Sequence, residues 1–425
     1  MKISTYKYRG RAGCRSLGFC FGLIIYCFTA QAQQQADSTQ FLKHTPADTS
    51  TRKLNMDALY SRPFLQLGKA PIAIGGYMET NTQYTVTDGA TEGFSFQFRR
   101  VSIFLSSTIA SRIKFLSEIE FEDGGKEISV EYASLDFELH PLLNLRGGII
   151  VNPIGAFNQN HDGPKWDFID RPISSTTILP ATLSEAGFGF YGKQFTGNWV
   201  FGYETYLTNG FDDKVIANEE NRTSLAAGKG NPEKFEESNS GLPMFTGKIA
   251  IRNRKLGEVG LSYMDGVYNK WRDDDGNILD KKRSIRAFAI DFNTSFLKNR
   301  INILGEAAKV LVDVPDTYSQ QFGSKQWGGF VDVVGTVLQK NILGWDNAKL
   351  NIGVRLEYAD YNEGKFRETG GNIADDLWSV CPAIAFRPVG TTVIRLNYRR
   401  QQQRDILGNP PAKSGVIQFG FATYF

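Results

Sequence analysis

The chain has 425 residues, 22% of them charged and 13% aromatic, with 43 glycines and a formal net charge of +3. So small a surplus gives no electrostatic footprint for nucleic acid. Past the N-terminus no apolar run approaches the roughly 20 residues of a membrane helix. That excludes a helical bundle in the bilayer but not a transmembrane barrel, whose polar lumen residues alternate with lipid-facing ones.

The N-terminus reads as an address. Lys2, Lys7, Arg9, Arg11 and Arg15 precede the apolar stretch LGFCFGLIIYCFTA, which ends at Ala30-Gln31-Ala32. A basic region, a short apolar core and an A-x-A site make a secretory signal peptide over residues 1–32, the alternative being an N-terminal anchor. Three of the four cysteines fall within it, leaving Cys381. Neither a disulfide framework nor a cysteine metal site is therefore expected. With three histidines in the chain, a histidine-rich metal centre is not expected either.

Residues 33–70 are rich in Gln, Ser, Thr and Asp with little periodicity, and read as a flexible lead-in. Within them KLNMDALYSR has the makings of a short helix.

From residue 71 to 425 the governing signal is a period of two. In IKFLSEIEFE, Ile113, Phe115, Ile119 and Phe121 alternate with Lys114, Glu118, Glu120 and Glu122. In KLNIGVRLEYADY, Leu350, Ile352, Val354 and Leu356 alternate with Asn351, Arg355 and Glu357. Such segments place one apolar and one polar face on a strand. About sixteen of them occur, long enough for the roughly 9 to 11 residues a tilted strand needs to cross a bilayer. They start near residues 72, 94, 112, 126, 142, 186, 198, 244, 257, 284, 300, 327, 348, 375, 391 and 415. The alternation slips at Arg99-Arg100 and near Ala133, where bulges are expected.

The connections alternate in length. Tight turns at TIAS, His140-Pro141, TGN, Lys255-Leu256-Gly257, LKN and Pro388-Val389-Gly390 interleave with longer loops. Outer-membrane barrels have short periplasmic turns and longer outside loops. The fold expected is all-β: a closed antiparallel transmembrane β-barrel of about 16 strands in a bacterial outer membrane. Its final strand, GVIQFGFATYF, would close against the first, because open backbone groups in hydrocarbon cost several kcal/mol each.

The connection after strand 5, NPIGAFNQNHDGPKWDFIDRPISSTTILPATLSEAG, is too long for an idle link and too apolar to be disordered. It is read as a loop folded inward to constrict the bore, presenting Asp162, Lys165, Asp167, Asp170 and Arg171; the alternative is an external cap. The face assignment points ten basic residues into the lumen: Arg99, Lys114, Arg146, Lys193, Lys248, Arg252, Arg355, Arg387, Arg395 and Arg399. Glu118, Glu120, Glu122, Glu131, Asp332 and Glu357 point the same way. The balance favours anions weakly, although each single Arg is more often part of a lumen-wall ion pair.

A barrel of this width leaves an aqueous channel. The expectation is passive diffusion of small hydrophilic solutes, anionic or neutral, with no cofactor, no metal and no catalytic residue. The alternatives are a barrel enzyme, for which only His161 could serve as base, or an occluded adhesin or structural barrel.

The region from Pro141 to Lys193 resembles the centre of the phosphate-selective porin O and P family. Leu145-Arg146-Gly147, Pro153-Ile154-Gly155, Asp167-Phe168-Ile169-Asp170-Arg171-Pro172, Gly187-Phe188-Gly189 and the later YLTNGF at 206–211 fill the family's motifs. The resemblance implies a sixteen-stranded outer-membrane porin, usually a homotrimer, whose founding members pass anions along lumen arginines and lysines. The sequence lacks the dense lysine cluster that would mark a phosphate site. The terminal Phe425 resembles the ending of outer-membrane barrels that the barrel-assembly machinery recognises.

Overall fold

A computed structural model describes residues 42–45, 53–67 and 71–425, apart from 221, 232 and 319–321. The signal peptide expected over residues 1–32 lies outside the described residues.

Alternation of apolar and polar side chains builds sixteen antiparallel staves. They are β1 (Ile72–Thr87), β2 (Ala90–Ala110), β3 (Ile113–Glu122), β4 (Glu127–His140), β5 (Leu143–Val151), β6 (Ser184–Thr196), β7 (Trp199–Thr208) and β8 (Met244–Asn253). The second half comprises β9 (Gly257–Val267), β10 (Ser284–Phe296), β11 (Ile301–Val312), β12 (Lys325–Ile342), β13 (Trp345–Asp360), β14 (Asp376–Arg387), β15 (Thr392–Gln403) and β16 (Ala412–Tyr424). Each pairs with its chain neighbour. The wall closes where β16 pairs with β1, from Ser414 opposite Thr87 to Tyr424 opposite Tyr77. The seam continues past the last stave: the Phe425 N–H donates to the Gly76 carbonyl at 3.0 Å. Any side chain at Gly76 would collide with the Phe425 ring and the Ser102 carbonyl.

The expected slips are real bulges. Glu79 pairs with Arg100 and Thr80 with Phe98, so Arg99 is the extra residue and both arginines reach the lumen. Glu118 pairs with Tyr132 and Ile119 with Val130, so the second bulge sits at Glu131.

The outer face is apolar. Ile352, Leu356, Leu396, Ile417 and Phe419 are all exposed. Aromatic rings mark both rims: Trp199, Trp345, Phe296 and Phe425 at the short-turn end, Trp327, Trp378 and Phe245 at the long-loop end. A closed wall with an apolar belt between two girdles is the form in which strands cross hydrocarbon. The chain is a bacterial outer-membrane β-barrel.

One expectation fails. Residues 53–63, read as part of a flexible lead-in, run inside the barrel, and Phe64–Leu67 follows as a short strand paired with Leu42–Thr45 and with the start of β1. KLNMDALYSR forms two 3-10 turns, Asn55–Asp57 and Leu59–Ser61, rather than one helix. Leu54, Met56 and Leu59 are buried. Three apolar residues are too few to stand out in a polar stretch, yet they match small apolar patches on the lumen wall at Val200 and Ala250, and at Tyr132 and Val151.

The lumen and its folded loop

The loop between β5 and β6 folds into the barrel, as the sequence reading has it. Its entry is the Pro153-Ile154-Gly155 corner. Gly155 has φ +67, and a Cβ there would meet the Glu306 carboxylate, so glycine is required. The corner's polar groups are taken up by the wall. The Gly155 carbonyl accepts from Lys248 Nζ at 2.6 Å, and the Ala156 N–H donates to Glu306 at 2.6 Å. Farther on, Ile173, Ile178, Leu179 and Leu183 join Phe211, Val215 and Leu225 from the 209–243 loop in one apolar cluster. That cluster anchors the loop from above.

The acidic residues of the loop meet arginines from distant staves. Asp170 pairs with Arg99 at 2.8 Å and Arg399 at 3.2 Å, and accepts from Gln418 at 2.8 Å. Asp167 pairs with Arg387 at 2.8 Å. Asp162 accepts from Arg62 Nε at 3.0 Å, Lys165 Nζ at 3.1 Å and the Tyr424 hydroxyl at 2.6 Å. Loop carbonyls take up more donors: Arg355 reaches Asp170 O at 2.6 Å, Arg387 reaches Pro164 O at 2.8 Å, and Arg395 reaches Phe168 O at 2.8 Å.

Each of the ten basic residues assigned to the lumen has an acidic partner. Arg146 pairs with Asp136 at 2.7 Å, Lys248 with Asp291 at 2.6 Å, Arg252 with Glu258 at 3.3 Å, and Arg355 with Asp332 at 2.6 Å. Arg395 pairs with Glu79 at 2.9 Å, Lys193 with Asp57, and Lys114 with Glu138 at 2.6 Å near the short-turn end. Burying a charge without a partner is prohibitive, so this pairing is what a packed interior demands. Most of these side chains clamp the loop or the lead-in to the wall instead of standing free in a bore.

The lumen is filled. On every stave at least one inward residue is no more than 5% exposed, from Glu79 on β1 through Glu118, Arg146, Lys248, Glu306 and Arg355 to Gln418 on β16. A continuous water column would leave such polar side chains wet.

Above the filling lies a cavity of about 970 Å³. Its lining includes Arg99, Arg100, Lys126, Arg171, Lys229, Arg395 and Arg399 against Glu79, Glu122, Asp123 and Asp170. Lys126 and Arg171 have no ion-pair partner among the described residues, and Arg171 Nη2 is buried without a hydrogen bond. His161, the base an enzyme would need, is fully buried. Its polar neighbours are the Asn158 carbonyl at 2.7 Å, Arg62 at 3.4 Å, and Glu118 and Asp162 at 3.8 Å.

Two lumen residues escaped the sequence reading. Arg100 contacts Glu79, Glu120 and Glu122; its exposure to the lumen follows from the bulge. Arg62 bridges Glu118 and Asp162. No local pattern marks it, because it lies outside the alternating strands.

No family model matches the chain. An uncharacterized protein of Aquifex aeolicus (strain VF5) is 30% identical over 247 residues, 53% of this chain and 54% of that protein. The chain thus matches about half the length of this curated relative. Among solved structures, the fold is similar to an anion-selective porin from Comamonas acidovorans, at 10% identity, covering 83% of this chain and 99% of that one with a TM-score of 0.51. It is also similar to OprB of Pseudomonas putida, at 9% identity, covering 84% and 94% with a TM-score of 0.51. It is similar as well to OmpF of Salmonella typhi, solved in complex with daunomycin, at 9% identity, covering 84% of this chain and 98% of that one with a TM-score of 0.50. At these identities the likeness is one of fold.

Proposed function

We propose that this outer-membrane barrel is a porin that passes small hydrophilic solutes, with a weak preference for anions. The observation that supports it is the mouth cavity, where seven basic side chains outnumber four acidic ones above an inward-folded loop. Like-signed groups in a concave, low-dielectric setting focus their field and concentrate counter-ions. Planar-bilayer recording with a salt gradient tests it. The expected result is discrete steps with a reversal potential shifted modestly toward the anion. Lys126→Gln with Arg171→Gln reduces that shift, since these two charges have no acidic partner to lose. A cation preference would overturn the reading of the lining and leave the barrel intact.

The phosphate-selective O and P family, a homotrimer and recognition of the terminal strand by the assembly machinery belong to the same proposal. They rest on the motifs around Arg146, Gly155 and Asp170 and on Phe425. Cross-linking in native membranes tests the trimer.

The filled lumen favours a second reading, a permanently occluded structural barrel. Absence of any conductance, in the full chain and in variants with the filling removed, would establish it.

A further inference from the structure

We propose that residues 53–67 are a resident plug in the short-turn half of the lumen, and that the channel conducts when this segment leaves it. The inference rests on the channel reading.

The segment follows the inner wall across half the barrel. Leu54 packs on Val200 and Ala250 of β7 and β8, and the Asn55 N–H donates to Glu258 of β9 at 2.9 Å. Asp57 pairs with Lys193 of β6, and the Tyr60 ring lies under the Arg146 guanidinium of β5 at 3.8 Å. Arg62 reaches Glu118 of β3 at 2.7 Å. These partners run from the short-turn end, at Val200 and Glu258, to mid-stave, at Arg146 and Glu118, so the segment occupies the short-turn half of the bore.

Two features make it a plug and not part of the wall. First, the wall closes without it: β16 pairs directly with β1, and only the segment's last residues, Phe64–Leu67, form a strand, which pairs with Leu42–Thr45 and touches β1 at Leu65 with Ile74 and Gln66 with Ala73. Second, the surface it covers is that of a wet bore. Glu118, Lys193 and Glu258 are charged side chains aimed at the lumen, which water would solvate if the segment withdrew. The segment also locks onto the other filling element. Arg62 holds Asp162, Lys165 Nζ donates to the Ala58 carbonyl at 3.1 Å, and Asn55 Nδ2 donates to the Ala156 carbonyl at 2.5 Å. Withdrawal of the segment therefore removes one side of the loop's support.

The wall carries a site from which the segment can be displaced by a single substitution. Gly202 of β7 faces Leu54, and the atoms nearest a Cβ built there belong to the Leu54 and Lys193 side chains. Gly202→Phe would expel the tip of the plug.

The test is single-channel recording on the full chain, on a variant lacking residues 53–67, on Gly202→Phe, and on a variant lacking both 53–67 and loop residues 156–180. The expected result is a several-fold rise in open-state conductance or open probability for the deletion and for Gly202→Phe. If the deletion fails to assemble, Gly202→Phe alone decides. Folded variants that conduct as the full chain does would overturn the plug. If the double deletion then conducts, the channel reading stands without it; if no variant conducts, the channel reading falls as well.

Discussion

A guanidinium stripped of water needs carboxylates at hand, and Arg62 has two, Glu118 at 2.7 Å and Asp162. All three side chains are out of solvent. Removing one member of such a cluster leaves an uncompensated buried charge and typically costs about 3–5 kcal/mol. Arg62→Ala is expected to lower the temperature at which the folded form is lost on unheated gels, whereas Lys270→Ala, in an exposed pair with Asp274, leaves it unchanged. Asp170, in the folded loop, makes a pH prediction. Burial pushes its carboxyl up, but Arg399 and Arg99 outweigh that and hold it at about 2, below its ordinary 3.8. A depressed carboxylate stabilises the docked loop at all pH values above its unfolded value and loses that contribution as pH falls toward 2. Amide exchange across residues 163–173, corrected for intrinsic rate, should be flat from pH 8 to about 4 and rise below it. Asp170→Asn should raise it at neutral pH.

At the scale of the strand, one rule decides the cost of a change: which face and what depth. Ile352 lies outward in the middle of β13 and is exposed to lipid. Ile352→Arg is expected to cost about 2–4 kcal/mol in a folding titration in lipid, and the same change at Leu343, in the short turn before β13, about 0–1. The faces were legible in the chain because a strand's period is two and lipid tolerates no polar run. The bulge at Arg99 was legible for the same reason, as a break in that period. The pairing partners of the inward arginines were not. Alternation places Arg395 in the lumen, but its partner Glu79 lies 316 positions away, and only closure of the barrel brings them together.

For the whole molecule, closure is the condition on which all else depends. Without residues 412–425, β1 and β15 would each present an open edge of backbone groups to hydrocarbon, at several kcal/mol per group. A chain truncated after residue 411 is expected to yield no heat-modifiable folded form in lipid, while a chain without residues 53–67 still yields one. The filling divides the same way. The loop was foreseeable as an insertion rich in apolar anchors between two strands. The lead-in was not, because its handful of apolar and charged residues acquire meaning only against the complementary patches of a lumen that does not exist until the staves have closed.

The amino-acid order on its own determined the number of crossings, their direction, which face meets lipid and where the long loop departs. These are consequences of short-range alternation and turn length, and a few neighbours suffice to set them. Only the closed barrel decided that the lumen arginines serve as clamps and that residues 53–63 lie inside. Ion pairs and packing across a cylinder join residues hundreds of positions apart, and desolvation makes each charge accept whichever partner the curvature of the wall delivers.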